Sequence, residues 1–352
     1  MAPLEMQNAV VVEKVGQPVV LTERPVPTPK EGEILVKVTV AGLNPYDFRV
    51  RDWGLYVEGR LPVVLGNDIA GVVQETGPGV SSFQKGDRVF GQTNYLKATS
   101  DQCGLQEYAL LDAYTAARVP GKLSDDDGAS LVCNIIAPFW AVFGKDGLGL
   151  QFPFPGQSVS ALDYASQKIV IIGAGSNCGK YAVQSCALAG FGTIVATANK
   201  SKNDDFLRAY GATHVVDRHA ADVKEQIRSI VGDDLVYAVD AVNTDHTLGV
   251  SILSDTKKGT LACLVPPMTK IDENVIGDKK AGYEDKFIQG QSHNQPELGA
   301  AFWKNLPGWM EKRKIRATPW EIIDGLDVEK INSVLDLYSS GGVPEKKVHV
   351  HI

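Results

Sequence analysis

The chain has 352 residues, 44% of them hydrophobic, with a formal net charge of −7 and a pI near 5.5. That length is enough for two cores, and the acidic balance with scattered basic residues excludes a nucleic-acid footprint or a polybasic membrane patch. The longest apolar run, residues 131–143, is too short to span a bilayer and contains Asn134 and Pro138.

In chain order, the first residues lack the basic-then-apolar layout of a signal peptide. Cys103, Cys133, Cys178, Cys186 and Cys263 are far apart and odd in number, so reduced thiols in a cytoplasmic protein are expected. Residues 9–12, 19–21 and the near-alternating 34–40 read as strands, with Pro25, Pro27 and Pro29 holding an extended connection between them. Further strands are expected at 72–75 and 88–90, separated by turns at Gly77, Gly79 and Gly86-Asp87. About the first 130 residues therefore read as an irregular β domain.

Two aromatic segments stand out, Phe139-Trp140 through Phe154 and, later, Phe302-Trp303 with Trp309. Either belongs to a core or a subunit contact, or else lines a site for a bulky apolar substrate.

The character of the chain changes at residue 168. The β-branched run Ile169 to Ile172 ends on Gly173-Ala174-Gly175-Ser176-Asn177-Cys178-Gly179, and an alanine-rich amphipathic segment then stops at Gly190. Strand, glycine turn and helix form the first half of a dinucleotide-binding unit, although G-x-G-x-x-x-G is one residue longer than the usual fingerprint. Glycines let backbone approach a pyrophosphate, and helix-start amides carry partial positive charge. Gly173, Gly175, Ser176, Asn177, Cys178 and Gly179 are thus the candidate phosphate cradle. Strands at 193–198, 214–216, 235–240 and 259–264, with helices at about 204–210 and 221–231, extend the alternation into a parallel α/β sheet.

Cofactor choice is read at the end of the second strand of this unit. NAD-selective folds place an acid there for the ribose 2′-OH, but Ala198 is followed by Asn199, Lys200, Ser201 and Lys202, with no acid before Asp204. That set suits a 2′-phosphate, so NADPH is the expected cofactor. The final part reads as a helix at 328–338 and a strand at 347–352.

Three motifs before the nucleotide unit carry a family resemblance. Gly42-Leu43-Asn44-Pro45-Tyr46-Asp47, Leu65-Gly66-Asn67-Asp68-Ile69-Ala70-Gly71 and the Gly79-Val80…Phe83…Gly86-Asp87-Arg88-Val89 run resemble segments of the zinc-independent medium-chain dehydrogenases/reductases, the quinone oxidoreductases and stand-alone enoyl reductases. The resemblance implies an α/β architecture, a Rossmann doubly wound parallel sheet plus a GroES-like β-barrel domain. Its domains would be 1–135 with 296–352 (GroES-like) and 136–295 (NADP(H)-binding), with the cofactor in the cleft between them. By the same resemblance Asn243, Ile288 and Lys346, or its neighbour Lys347, are further cofactor neighbours.

Zinc-dependent members hold a catalytic metal with Cys, His and Cys. Asn44, Asn67 and Asn134 fall at those places here, and asparagine is a poor zinc ligand. No group of four closely spaced cysteines exists for a structural zinc, so no metal is expected. The resemblance makes Asn44, Tyr46 and Arg49 the catalytic candidates; related enoyl reductases carry lysine where Arg49 falls, and arginine is no proton donor near neutral pH. Asp68, beside an apolar run, needs a partner, and Arg49 or Arg51 is expected to supply it.

The expected function is NADPH-dependent, metal-free reduction of a conjugated C=C (enoyl or enone) or a quinone. The alternatives are zinc-independent carbonyl/alcohol interconversion and a non-catalytic NADPH-binding scaffold or sensor. The substrate would be a small molecule, bulky and apolar or carrier-bound, with no nucleic acid or membrane partner. Zinc-free relatives include monomers and homodimers, and the sequence leaves the two open.

Overall fold

The structure, a computed structural model, describes residues 6–57, 59–94, 100–157 and 162–352. The chain starts with β1 (Met6–Val12), β2 (Val20–Pro25), β3 (Glu33–Gly42) and helix α1 (Pro45–Trp53). It continues through β4 (Val63–Val64), β5 (Asp68–Thr76), β6 (Arg88–Gln92), β7 (Tyr108–Asp112), β8 (Ala116–Arg118) and α2 (Asp125–Phe143). Strands and helices then alternate: β9 (Lys168–Ile172), α3 (Asn177–Ala189), β10 (Thr193–Ala198), α4 (Lys200–Ala209), β11 (His214–Asp217) and α5 (Val223–Val231). Next come β12 (Tyr237–Asp240), α6 (Thr247–Ser251), β13 (Gly259–Cys263), α7 (Glu273–Ile276) and β14 (Tyr283–Phe287). The last elements are α8 (Pro296–Glu311), β15 (Trp320–Asp324), α9 (Val328–Ser339) and β16 (Lys347–His351).

These elements fall into two compact units. One comprises the described residues up to Cys133 together with Ser292–Ile352; the other is Asn134–Gln291.

In the first unit a seven-stranded sheet runs β15-β16-β3-β5-β6-β8, with β7 also on β3. β7 pairs with Glu33–Lys37, and β16 with Val40–Gly42, so the two share one edge of β3 in succession. Register shifts in the β3–β5 pair, between Leu35 and Val36 and between Val38 and Val40, bend the ladder as bulges do. A small sheet β2-β1-β4 joins it through an Ala9–Gln106 bridge. The shared core takes the inward residues of β1, β3 and β5, Val10, Ile34, Val36 and Ile69 among them, with Ile331 and Leu335 of α9. Phe302 and Trp303 of α8 are buried, the Trp303 Nε1–H donating to Ser292 Oγ at 3.0 Å.

The second unit holds a fully parallel six-stranded sheet in the order β11-β10-β9-β12-β13-β14. Numbered within the unit this is 3-2-1-4-5-6, the doubly wound order whose strand sequence reverses beside β9. Its inner strands β9 and β10 are almost continuously apolar, as burial on both faces demands. The aromatic run is packed upon itself: Phe139, Phe143, Phe152 and Phe154 are buried, with Phe152 centroids 4.9, 4.8 and 4.7 Å from the other three. Those rings are core, so the expectation of a bulky substrate loses their support. Among the described residues no helix is long and apolar enough to cross a membrane.

Candidate active site

In the first unit, α1 starts directly beyond β3. Asn44 is its N-cap in extended conformation, Pro45 supplies the preset first turn, and Asp47 accepts the Asn44 N–H at 2.7 Å. Asp47 also accepts the Gly66 N–H at 2.9 Å, tying the two motif loops together. The Asp47 side chain is fully buried, and burial outweighs those two amides to push its carboxyl up to about 6.

The side chain of Asn44 faces the other way. Its amide oxygen accepts from Lys347 Nζ at 2.7 Å, and its NH2 donates to Asp68 Oδ2 at 2.8 Å. Lys347 pairs directly with Asp68 as well, both side chains being buried. The remaining Asp68 oxygen accepts the Cys133 N–H at 2.8 Å. Asp68 is thus paired with Lys347 rather than with an arginine of α1, contrary to expectation. Arg51 is committed elsewhere, to Asp52 at 2.6 Å and Asp336 at 2.8 Å. Lys347 crosses β3 where a side chain is lacking: a Cβ added to Gly42 would lie 2.8 Å from Lys347 Cε.

Tyr46 and Arg49, three residues apart on α1, share one side of the helix and are both half-buried. The Arg49 guanidinium lies over the rings of Trp53 (5.6 Å) and Phe48 (5.9 Å), and its Nε is buried without a hydrogen-bond partner. Burial lowers its pKa. Among the described residues no carboxylate pairs with it.

Strand β16 carries a signal that the sequence reading passed over. Lys347, His349 and His351 alternate with Val348 and Val350, which puts three titratable groups on one face. His349 Nδ1 and His351 Nε2 both meet Asp126 Oδ1, at 2.8 and 2.9 Å. Of the two lysines named from sequence as cofactor neighbours, Lys346 is exposed just ahead of the strand and Lys347 is buried in the Asp68 cluster.

In the second unit, β9 leads into the glycine turn. Gly173 adopts φ +73, Ser176 caps α3 by accepting the Gly179 N–H at 3.0 Å, and Asn177 and Cys178 open the helix. Gly179 is required by contact, since a Cβ there would lie 2.3 Å from the Gly173 carbonyl oxygen. Gly175, between them, leaves the backbone uncovered, its nearest neighbours being the Asn203 side chain at 3.4 Å and Ala198. These residues fit a pyrophosphate at the positive end of α3.

Beyond β10, α4 begins at Lys200, four residues earlier than expected. Asn199 is its N-cap, and Lys200, Ser201 and Lys202 form an exposed first turn without any acidic residue. Lys180 on α3 was not anticipated. Its Nζ lies 5.0 Å over the Phe206 ring, and burial lowers its pKa. Asn243 is held by Asp240, donating its side-chain NH2 at 2.8 Å and its N–H at 2.9 Å. Ile288 is buried, its N–H bound to the Cys263 carbonyl at 2.9 Å.

Comparison with known proteins shows the family. Residues 30–123 match the Alcohol dehydrogenase GroES-like domain, and residues 178–276 match the Zinc-binding dehydrogenase domain. Dehydrogenase orsE of Emericella nidulans is 31% identical, over 93% of this chain and 94% of its own length. The chain belongs to the medium-chain dehydrogenase/reductase family. Trans-enoyl reductase himH of Aspergillus japonicus is 29% identical, over 91% and 90% of the two chains. The crystal structure of the Pseudomonas syringae quinone oxidoreductase superposes with a TM-score of 0.75 at 18% identity, covering 98% of this chain and 100% of that one, a likeness of fold. The two units are accordingly a GroES-like and a Rossmann domain of an oxidoreductase, whose family fold implies a nicotinamide dinucleotide and a small-molecule substrate.

The family's zinc does not fit the residues present. Of the three asparagines at its ligand places, Asn44 already binds an ammonium through its oxygen and a carboxylate through its nitrogen. Among the described residues one group of three potential ligands comes together, His246, Cys263 and Asp285, within 4.8 Å of one another in the Rossmann domain. It is internally satisfied. His246 Nδ1 meets Asp285 at 2.8 Å, His246 Nε2 lies 3.2 Å from the Val265 carbonyl, and the Cys263 thiol donates to Asp285 at 3.3 Å.

Proposed function

We propose that this protein is an NADPH-dependent, metal-free reductase of a conjugated C=C bond, in an enone or enoyl compound, or of a quinone. The observation that carries the reading is the buried Lys347–Asp68 ion pair bonded to both ends of the Asn44 amide, which fixes that amide where the resemblance puts a zinc ligand in zinc-dependent relatives.

When bound, the nicotinamide supplies the hydride, and negative charge then grows on the acceptor's carbonyl oxygen. Asn44 gives one amide N–H to Asp68 and has a second for that oxygen. Lys347, donating to the Asn44 carbonyl, polarises the amide and orients it before the reaction begins. Tyr46 and Arg49, on one side of α1, supply a phenol and a permanent cation. Arg49 has no competing carboxylate among the described residues and serves as an anion partner rather than a proton donor.

Choice of NADPH rests on the start of α4. Lysines in the first turn of a helix face the positive end of its dipole, an unfavourable placement of roughly 0.3–1 kcal/mol each. A ribose 2′-phosphate would reverse that sign, with Lys180, across the turn on α3, as a further cation. Relatives whose names describe trans-enoyl reductases favour an enoyl acceptor.

The test is spectrophotometric. The purified protein should oxidise NADPH with members of an enone and quinone panel and contain no stoichiometric zinc. Asn44→Ala should lower kcat by roughly 10- to 1000-fold while changing NADPH affinity little. One zinc per chain, or NADPH binding with no turnover of any acceptor, would refute the reading.

A further inference from the structure

The Asn44–Lys347–Asp68 cluster depends on a strand that β3 holds only briefly: His349 pairs with Gly42, Val350 with Ala41 and His351 with Val40. A second hold comes from α2. Asp126 accepts from both histidines at one oxygen, Ser130 Oγ donates to the Thr318 carbonyl at 3.0 Å, and the Cys133 N–H donates to Asp68 at 2.8 Å. Positions 126, 130 and 133 form one stripe of the helix, so this stripe ties the terminal strand and the Asp68 carboxylate to a single rigid element.

His349 is the fully buried member of that tie. Trp320 of β15 stacks on its ring, 5.8 Å away and within 10° of parallel. With Nδ1–H given to Asp126, the neutral ring keeps its lone pair on Nε2, which is buried and has no hydrogen-bond partner. Charging the ring would put an N–H where no acceptor among the described residues reaches it. The charges around it are divided. Asp126 favours the cation, as does Asp68, in the same row of the sheet beyond Gly42; Lys347, two residues back on the same face of β16, opposes it. Asp125, next to Asp126, is taken by Arg88 at 2.7 Å, and Asp324 of β15 stands opposite His351 in register. Burial outweighs the favourable charges and holds the His349 pKa below its ordinary value.

We propose that neutral His349 is a positioning residue for the reaction: by holding β16 to Asp126 it sets where Lys347 meets the Asn44 amide, and protonation of its ring undoes that setting. The imidazolium, with an Nε2–H that lacks an acceptor and a second cation two residues away, gains by moving toward water, and β16 carries Lys347 with it. This rests on the reductase reading above and adds an acid limit to it, set by a residue that touches neither cofactor nor substrate.

The experiment follows NADPH-dependent enone reduction from pH 8 to pH 5 in the native chain, His349→Gln and His349→Phe. Glutamine keeps an N–H for Asp126 and cannot be charged; phenylalanine keeps the stack on Trp320 and loses the Asp126 bond. Native kcat should fall as pH drops below the ordinary histidine value of 6.5, by up to about tenfold per pH unit once His349 titrates. In His349→Gln that acid arm should flatten, with kcat at pH 8 within about threefold of native. His349→Phe should lose roughly ten- to a hundredfold in kcat at every pH. KM for NADPH should differ by less than about twofold among the three at any one pH. Asp47 titrates in the same range but is common to all three, so it cannot produce the difference. A second readout needs no turnover. In a proton–nitrogen NMR correlation the Asn44 side-chain NH2 signal, identified by its absence from Asn44→Ala, should shift in step with the His349 ring signals and lose that component in His349→Gln. Such coupling with no turnover of any acceptor would uphold the positioning and sink the reductase reading. Turnover whose acid arm is the same in His349→Gln as in the native chain would overturn the positioning and leave the reductase reading standing. Neither coupling nor turnover would overturn both. Where the glutamine chain does not fold, the native spectrum still decides: an Asn44 signal indifferent to the His349 titration overturns the positioning.

Discussion

Lys347 and Asp68 show how one charge decides what its neighbours can do. Two buried ions are tolerated because each is paired and hydrogen-bonded, Asp68 by Asn44 and the Cys133 amide, Lys347 by Asn44. Lys347→Met strands a buried carboxylate and should cost about 3–5 kcal/mol in urea denaturation. Adding Asp68→Asn to it should recover more than half of that loss; simple additivity would disprove the pairing. Asp47 makes a prediction of opposite kind. Its carboxyl is raised to about 6, so the fold favours the neutral form. The resulting stabilisation is complete below the unfolded value near 3.8 and is lost as pH rises through about 6. Relative to non-titrating Asp47→Asn, the native chain should gain about 1 kcal/mol between pH 7 and pH 5. Parallel stability profiles for the two would refute it. Asp47 ties the two motif loops from the third position of a helix that starts Asn-Pro, a local arrangement. The partner of Asp68 is not local, and charge alone cannot choose between Arg49, Arg51 and Lys347.

At the scale of elements, the turn from β9 into α3 was readable because its rules are local: a β-branched run, a left-handed glycine and a helix whose fourth-residue contacts need Gly179. The start of α4 was read four residues late, since lysine, serine and asparagine give no amphipathic signal in a first turn. Asn199 as N-cap is the clue that moves the boundary. The earlier start bears on function, because Lys200 and Lys202 now stand at the positive end of a helix. Replacing both with alanine should weaken NADPH binding by tenfold or more and alter NADH binding by less than about twofold in fluorescence titrations. Equal losses for the two cofactors would remove the phosphate from the account. In strand β16, Lys-Val-His-Val-His alternates polar and apolar residues, yet all but its last residue is buried. The face carrying Lys347 and His349 is buried because it finds Asn44, Asp68 and Asp126.

For the whole molecule, the dinucleotide should act as a folding ligand of the Rossmann unit. At one hundred times its dissociation constant NADPH should add about 2.7 kcal/mol to the stability of Asn134–Gln291, with hydrogen-exchange protection strongest at the β9–α3 turn. Unchanged exchange there at saturating NADPH would remove the basis for a cofactor site. The doubly wound sheet was foreseeable from alternation over contiguous residues. The first unit required more, since its sheet reaches seven strands only when β15 and β16, from the far end of the chain, join it at β3.

Period and spacing were enough for the parallel sheet, the glycine turn and the absence of an acid after β10, because each depends on residues close together in the chain. Folding alone chose the cation for Asp68, placed Lys347 against Asn44 across 303 positions of sequence, and turned the aromatic run into core. The cause is register. Which side chain of β16 meets the start of α1 follows from how that strand pairs with β3, and no local pattern encodes a pairing between the two ends of a chain.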